Sequence, residues 1–215
     1  MFKSNGAASS ETPKKAKNTD QGSLLIALLP LVILYVAAIT LISLTRSDLS
    51  GTIPYWETFL PVVAFISLLS GFGPAYVRDQ PSLLYVLQQA LHWGILIGLL
   101  WLLHTQGVRA SLNEQEYLIM MLYLLGLGSL LAGLHMDWKF AVFGAFMVFC
   151  TFVLSSPENT ALLGTIGDTF GITNAQEHPM TFIAITGCVA FLASTLILIG
   201  TRGAIMSKRA AAARA

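Results

Sequence analysis

Six long apolar stretches, separated by short polar segments, dominate the sequence. Each is close to the roughly 20 residues that a helix needs to cross the hydrocarbon core of a bilayer. In chain order they are Ser23–Leu44, Trp56–Tyr76, Leu83–Leu103, Tyr117–Leu134, Trp138–Ser155 and Met180–Gly200. The pattern predicts an all-α, multi-pass integral membrane protein whose transmembrane domain, residues 23–200, is a six-helix bundle.

The fourth and fifth stretches are separated only by His135, Met136 and Asp137, so a single long helix is the competing interpretation. At 1.5 Å per residue, a helix from Tyr117 to Ser155 would be about 58 Å long, nearly twice the hydrocarbon thickness. We therefore predict a tight hairpin. The polar residues at its tip are typical of a turn and an interface anchor, and contact with a cytosolic partner or lipid headgroups is the alternative.

Three polar segments lie outside or between the apolar stretches. Residues 1–22 are polar and basic with no apolar period, which predicts a disordered tail. Residues 156–179 form a long loop without Lys or Arg, and residues 201–215 form a basic tail. Four apolar residues of the loop recur at helical spacing and favour a short interfacial helix: Leu162, Leu163, Ile166 and Phe170.

The composition agrees with insertion into a membrane. Of the 215 residues, 55% are hydrophobic and 11% charged, and the mean hydropathy is +0.70, whereas soluble domains are about one-quarter charged. All 12 basic and 11 acidic residues can be placed outside the apolar stretches or at their margins, as the cost of a charge in hydrocarbon requires. The formal net charge of +1 gives no reason to expect a nucleic-acid partner.

Basic residues are distributed unevenly between the two sides of the predicted bundle. With the N-terminus in the cytoplasm, only Arg46 and Arg109 fall on the outer side. The cytoplasmic side receives Lys3, Lys14, Lys15, Lys17, Arg78, Lys139, Arg202, Lys208, Arg209 and Arg214. This asymmetry obeys the positive-inside rule and favours six helices, with both termini cytoplasmic, over five or seven. We expect the plasma membrane as location, with the bacterial inner membrane as first choice.

The third apolar stretch contains the candidate site. Gln88, Gln89 and His92 interrupt it near mid-membrane, and Tyr85, Gln89 and His92 share one helix face at i, i+4 and i+7. Polar groups at that depth need partners, so this face should point into the bundle. A proton relay, a ligand site or a metal ligand is the functional interpretation, because imidazole titrates close to physiological pH. Hydrogen bonding between helices is the structural interpretation, and the sequence leaves both open.

No cofactor, metal ion or catalytic residue is predicted. Haem or metal sites in a bundle pair histidines at matching depth, whereas His92 is the single histidine near mid-membrane. Cys150 and Cys188 lie at broadly similar depth on the last two stretches, but no flanking charge favours a redox pair there. We interpret Glu57, at the start of the second stretch, as an exposed carboxylate rather than a gate or a ligand.

These features support three hypotheses of function. The leading one is a non-enzymatic accessory or assembly component of a membrane complex, whose partners are the lipid bilayer and other membrane-protein subunits or a second copy of the chain. The second is a small transporter or channel with a polar pathway at Gln88, Gln89 and His92. The third is an intramembrane enzyme acting on a lipid or a quinone. Its candidate residues lie at the outer face: His104, Glu114, Glu116, Glu177 and His178.

Overall fold

The computed structural model describes residues 14–155, 164, 165, 167 and 179–214, with side chains described from residue 25 onward. Within this part of the chain the secondary structure is helical, without strands. The helices, numbered in chain order, are α1 (Lys14–Ser47), α2 (Leu49–Ser70), α3 (Phe72–Val77), α4 (Ser82–Thr105), α5 (Val108–Ser111), α6 (Glu114–His135), α7 (Trp138–Ser155) and α8 (Pro179–Ala212). Six regions of the described chain are long and apolar enough to span a membrane, and α2 and α3 together make the second. The all-helical class and the six apolar helices expected from the sequence are thus confirmed.

The helix bounds differ from the predicted stretches mainly near the two ends of the chain. α1 begins at Lys14 rather than Ser23, within the segment predicted to be disordered. α8 continues past Gly200 to Ala212, through a tail rich in Ala, Lys and Arg, which are strong helix formers. Residues 1–13 lie outside the described residues, as do the four apolar residues on which the interfacial helix was predicted.

α6 and α7 form a tight hairpin, so the continuous helix considered above does not occur. α6 starts with a capping box, in which Asn113 Oδ1 accepts from the Glu116 backbone N–H at 2.8 Å and Glu116 accepts from the Asn113 N–H at 3.0 Å. The two helix backbones then approach closely. A Cβ placed on Gly133 would lie 2.5 Å from the Ala141 Cβ. The absence of a side chain at Gly133 therefore permits this contact, the usual way in which helices pack in lipid.

The centre of the bundle is aromatic and joins α1, α7 and α8. Tyr35 of α1 is buried, and its ring lies 5.4 Å from Phe143 and 5.5 Å from Phe146 of α7. Its hydroxyl shares a 2.9 Å hydrogen bond with Ser194 of α8. A buried tyrosine hydroxyl costs free energy unless it has such a partner. This contact thereby fixes the three helices to one another.

The helices meet at two ends, which we name by the elements they contain. The hairpin end holds α3, the α6–α7 turn and the C-terminal part of α8, where Lys208 Nζ donates to the carbonyl oxygens of Tyr76 at 2.8 Å and Val77 at 3.1 Å. Lysine is suited to this because the last carbonyls of a helix lack partners within it. The α5 end holds the α1–α2 turn, α5 and the start of α6. There Trp56 Nε1 donates to Thr45 Oγ1 at 2.9 Å and joins α2 to α1.

Candidate functional site

The polar face predicted on the third stretch lies on α4, and two of its residues are buried against α2. Tyr85 and Gln89 have no exposed surface. The Tyr85 hydroxyl donates to the Leu68 carbonyl of α2 at 2.7 Å. Gln89 Oε1 accepts from Ser67 Oγ at 3.3 Å and from Trp93 Nε1 at 3.1 Å. Gln89 Nε2 donates to the Tyr85 hydroxyl at 3.3 Å, so both polar atoms of the Gln89 side chain have partners inside the bundle.

The other two residues of the predicted site lie outside this network. Gln88 is exposed and accepts a hydrogen bond from Gln80. His92 is half-buried, and its Nε2 lies 2.8 Å from the Gly128 carbonyl oxygen of α6. The tautomer with its proton on Nε2 satisfies this contact. The structure thus brings Tyr85 and Gln89 together, connects His92 to a different helix and leaves Gln88 apart.

This arrangement is well suited to attaching α4 to α2 and α6. A buried polar group left unpaired costs about 1–3 kcal/mol, and the hydrogen bonds on Gln89 and Tyr85 avoid that cost. Four of the cavities in the described part of the chain are lined by other residues. A transport pathway through Gln88, Gln89 and His92 stays a prediction, and loss of transport in liposomes containing His92→Ala protein is its test.

A second polar cluster, at the hairpin end, contains a buried ion pair. Lys139 Nζ lies 3.0 Å from Asp137 Oδ2, and the two side chains are 2% and 1% exposed. Ser70 Oγ of α2 donates to the same carboxylate oxygen at 3.2 Å. Either charge alone would be strongly unfavourable here, and each ion neutralises the other. The sequence pattern predicted turn and anchor chemistry for these residues. It did not predict that they are buried as an ion pair, because nothing in the sequence places Ser70 over the hairpin.

Arg78 attaches α3 to the same hairpin. Its guanidinium donates to the backbone carbonyl of His135 at 3.1 Å and to that of Met136. These carbonyls belong to the last residue of α6 and to the residue that follows it, where the helix itself supplies no donors. Arg78 therefore acts as a side-chain cap that joins the α2–α3 region to the α6–α7 turn.

A third polar cluster, at the α5 end, consists of Glu57, Arg109 and Tyr117. Arg109 Nη1 lies 2.7 Å from Glu57 Oε1, and the Tyr117 hydroxyl donates to the same oxygen at 3.0 Å. The guanidinium carbon lies 5.1 Å from the centre of the Tyr117 ring, which is a cation–π distance. The side chains of Arg109 and Glu57 are 39% and 35% exposed. Glu57 is therefore half-buried and paired, which corrects its interpretation as an exposed carboxylate.

This cluster lines a cleft of about 320 Å³ between α2, α4 and α6, which we call the Glu57 cleft. Its polar wall is formed by Glu57, His104, Arg109 and Tyr117. Its apolar wall is formed by Leu60, Pro61, Ile97, Leu100, Trp101 and Met121. Ligand cavities combine a mostly apolar lining with a few convergent polar groups, and this cleft has both.

The residues proposed for an enzyme at the outer face separate in the structure. His104 lines the Glu57 cleft, whereas Glu116 is used in the capping box of α6 and Glu114 is exposed. Glu177 and His178 lie outside the described residues. Among the residues that are described, no group of three or more His, Cys, Asp or Glu side chains is placed to hold a metal ion.

The two cysteines are free thiols in different surroundings. Cys150 is buried in the core on α7, whereas Cys188 is exposed on α8. Packing between these helices therefore does not pair them in a disulfide.

α4 is the least covered of the six regions that are long and apolar enough to span a membrane. In the apolar 18-residue segment of α4, 11% of the residues are buried, against 56% in the corresponding segments of α6 and α7. Its exposed side carries Gly94 and Gly98, and a Cβ on either glycine would meet no atom within 4 Å. Two glycines four residues apart let a second helix approach backbone to backbone in lipid. This pair was not among the predicted sites, although the Gly-x-x-x-Gly spacing is readable in the sequence.

Comparisons with protein families, with curated proteins and with solved structures found no match. The function of the chain is therefore inferred from its own residues and contacts.

Proposed function

We propose that the chain is a non-enzymatic accessory or assembly component of a membrane complex, and that α4 is the helix that binds its partner. The partner is another membrane-protein subunit or a second copy of this chain. The proposal includes insertion through six spans in the bacterial inner membrane, with both termini in the cytoplasm.

The distribution of basic residues supports this orientation. The hairpin end contains Arg78, Lys139 and Lys208, whereas Arg46 and Arg109 belong to the α5 end. Cytoplasmic loops are rich in Lys and Arg, so the hairpin end faces the cytoplasm in this proposal.

The uncovered glycine pair on α4 is the observation on which the partner role depends. Lipid gives apolar helices no hydrophobic reason to associate, so close packing at small residues is a main source of affinity between them. Within the bundle, glycines are used in this way: Gly133 lies against Ala141, and Gly144 lies against Leu130 of α6. Gly94 and Gly98 offer the same kind of surface on the exposed side of α4, with the surrounding apolar residues available for further contact.

The experiment is to replace both α4 glycines with leucine and to follow assembly. Two leucines on this face would hold a partner helix away from the α4 backbone, so Gly94→Leu/Gly98→Leu is expected to lose the complex on blue-native gels of mild-detergent extracts. The matched control is Gly200→Leu on α8, another exposed glycine at which an added Cβ would meet no atom within 4 Å. Mass spectrometry of the wild-type band distinguishes a second copy from a different subunit.

A wild-type protein that migrates only as a monomer would contradict the proposal. So would a complex that survives the double substitution unchanged while the protein stays folded by circular dichroism.

A further inference from the structure

We propose that the Glu57 cleft binds the uncharged, oxygen-bearing head of a membrane amphiphile, such as a quinone or a diacylglycerol, while the tail of that molecule stays in the bilayer. The proposal goes beyond the partner role of α4 and rests only on the membrane insertion proposed above. It follows from the charge, the unused polar atoms and the size of the cleft.

The charges of the cleft favour an uncharged head. Glu57 and Arg109 are 2.7 Å apart and neutralise each other, so the ion pair adds no net charge. A phosphate bound to the Arg109 guanidinium would lie near the Glu57 carboxylate and be repelled by it, and an ammonium bound to Glu57 would be repelled by Arg109. A charged head would also lose hydration on entry without a free counter-ion to compensate. A carbonyl or hydroxyl oxygen has neither penalty.

Polar atoms remain available for such a head. Arginine has five N–H donors. Among the described residues, Arg109 donates to Glu57 through Nη1, and its other N–H groups are available to a ligand. Both hydrogen bonds described on Glu57 fall on Oε1, which leaves Oε2 to accept from a hydroxyl. A quinone carbonyl can therefore accept from Arg109, and a quinol or diacylglycerol hydroxyl can in addition donate to Glu57.

The apolar wall and the volume limit which part of the amphiphile enters. Trp101 is 66% exposed and lines the cleft beside Pro61 and Ile97, so it offers an aromatic face to a ring or a glycerol backbone. A volume of about 320 Å³ is at the lower end of the range for ligand cavities, roughly 300–1,000 Å³. It holds a head group, and a long isoprenoid or acyl tail must remain outside against the exposed apolar surface of α4.

Tryptophan fluorescence in nanodiscs tests the proposal, with decylubiquinone as the probe because quinones quench tryptophan. Wild-type protein in phosphatidylcholine nanodiscs should show a quenching component that saturates at low quinone content. Trp101→Phe should remove that component. Trp138→Phe should keep it, because Trp138 is similarly exposed, at 62%, but lies at the hairpin end. Arg109→Gln should raise the quinone content at which quenching is half-saturated by about tenfold or more, because it removes a charge-assisted hydrogen bond.

Lys208→Gln is the matched control, since it removes a partly exposed ion-pairing residue at the other end and should leave the quenching unchanged. Competition then distinguishes the sources of the head group. Displacement of decylubiquinone by dioleoylglycerol would assign the cleft to a hydroxyl-bearing lipid, and failure to displace would assign it to the quinone. Displacement by dioleoylphosphatidylglycerol would overturn the uncharged head. Quenching that never saturates and is equal for Trp101 and Trp138 would overturn the site itself.

Discussion

The close approach of α6 and α7 at Gly133 leads to a prediction about one methyl group. Gly133 of α6 lies against Ala141 of α7, and a Cβ on Gly133 would be 2.5 Å from the Ala141 Cβ and nearer still to the Ala141 backbone. Ordinary van der Waals contact begins at 3.4 Å. The Gly133→Ala substitution must therefore push α6 and α7 apart by about 1 Å, because a backbone cannot rotate away as a side chain can.

The size of the effect is the difference between strain and helix propensity. Overpacking of a well-packed core typically costs about 1–3 kcal/mol, and contact with backbone atoms places this site at the upper end. Alanine regains up to about 1 kcal/mol over glycine inside a helix. We expect Gly133→Ala to lower the free energy of unfolding by about 2 kcal/mol.

The assay is unfolding in mixed micelles by titration with a denaturing detergent, followed by circular dichroism. Gly200→Ala on α8 is the control, because its new methyl group has no atom within 4 Å and should leave stability unchanged or raise it by up to about 1 kcal/mol. If Gly133→Ala protein is as stable as the wild type or more so, the close packing of α6 on α7 does not constrain the fold and the reasoning is refuted.

Three further predictions use the polar clusters and the topology. Lys139→Met should lower the free energy of unfolding by about 3–5 kcal/mol because it isolates the buried charge of Asp137. The double substitution Asp137→Leu/Lys139→Met should recover most of this loss. Additive losses in the same titration would contradict the ion pair. Gln89→Leu should cost about 1–3 kcal/mol by removing the acceptor of two buried donors, whereas Gln88→Leu, on the exposed side, should change stability by less than about 0.5 kcal/mol. Equal effects of the two would refute the distinction between them. Single cysteines added at either terminus should react with a membrane-impermeant maleimide only after cell lysis, and labelling of either terminus in intact cells would contradict the proposed topology.

Much of the predicted site could be anticipated from helical geometry. The spacing of Tyr85 and Gln89 indicated a shared face turned into the bundle, and the two side chains are fully buried and bonded to each other. The same spacing grouped His92 with them, but it bonds to Gly128 of α6 instead. Periodicity describes one helix and contains no information about which neighbour faces each residue.

The hairpin shows the same limit for charged residues. Hydropathy placed Asp137 between two apolar stretches and Lys139 at the margin of the second, where a turn was expected, and the chain does turn there. Their burial depends on Ser70 of α2 and on α8, whose Ser194 hydroxyl donates to the Lys139 carbonyl at 3.5 Å. These helices are remote in sequence, so the burial of the pair could not be predicted from spacing along the chain.

The sequence by itself determined the all-helical fold class and the six long apolar helices, because hydrocarbon excludes charge and demands helices of a minimum length. Those requirements act on each segment separately and can be read along the chain. Only the tertiary structure decided that Glu57 meets Arg109 in a cleft and that Gly133 is covered whereas Gly94 and Gly98 are not. Such facts depend on which helix faces adjoin, and that is set by packing among many side chains at once.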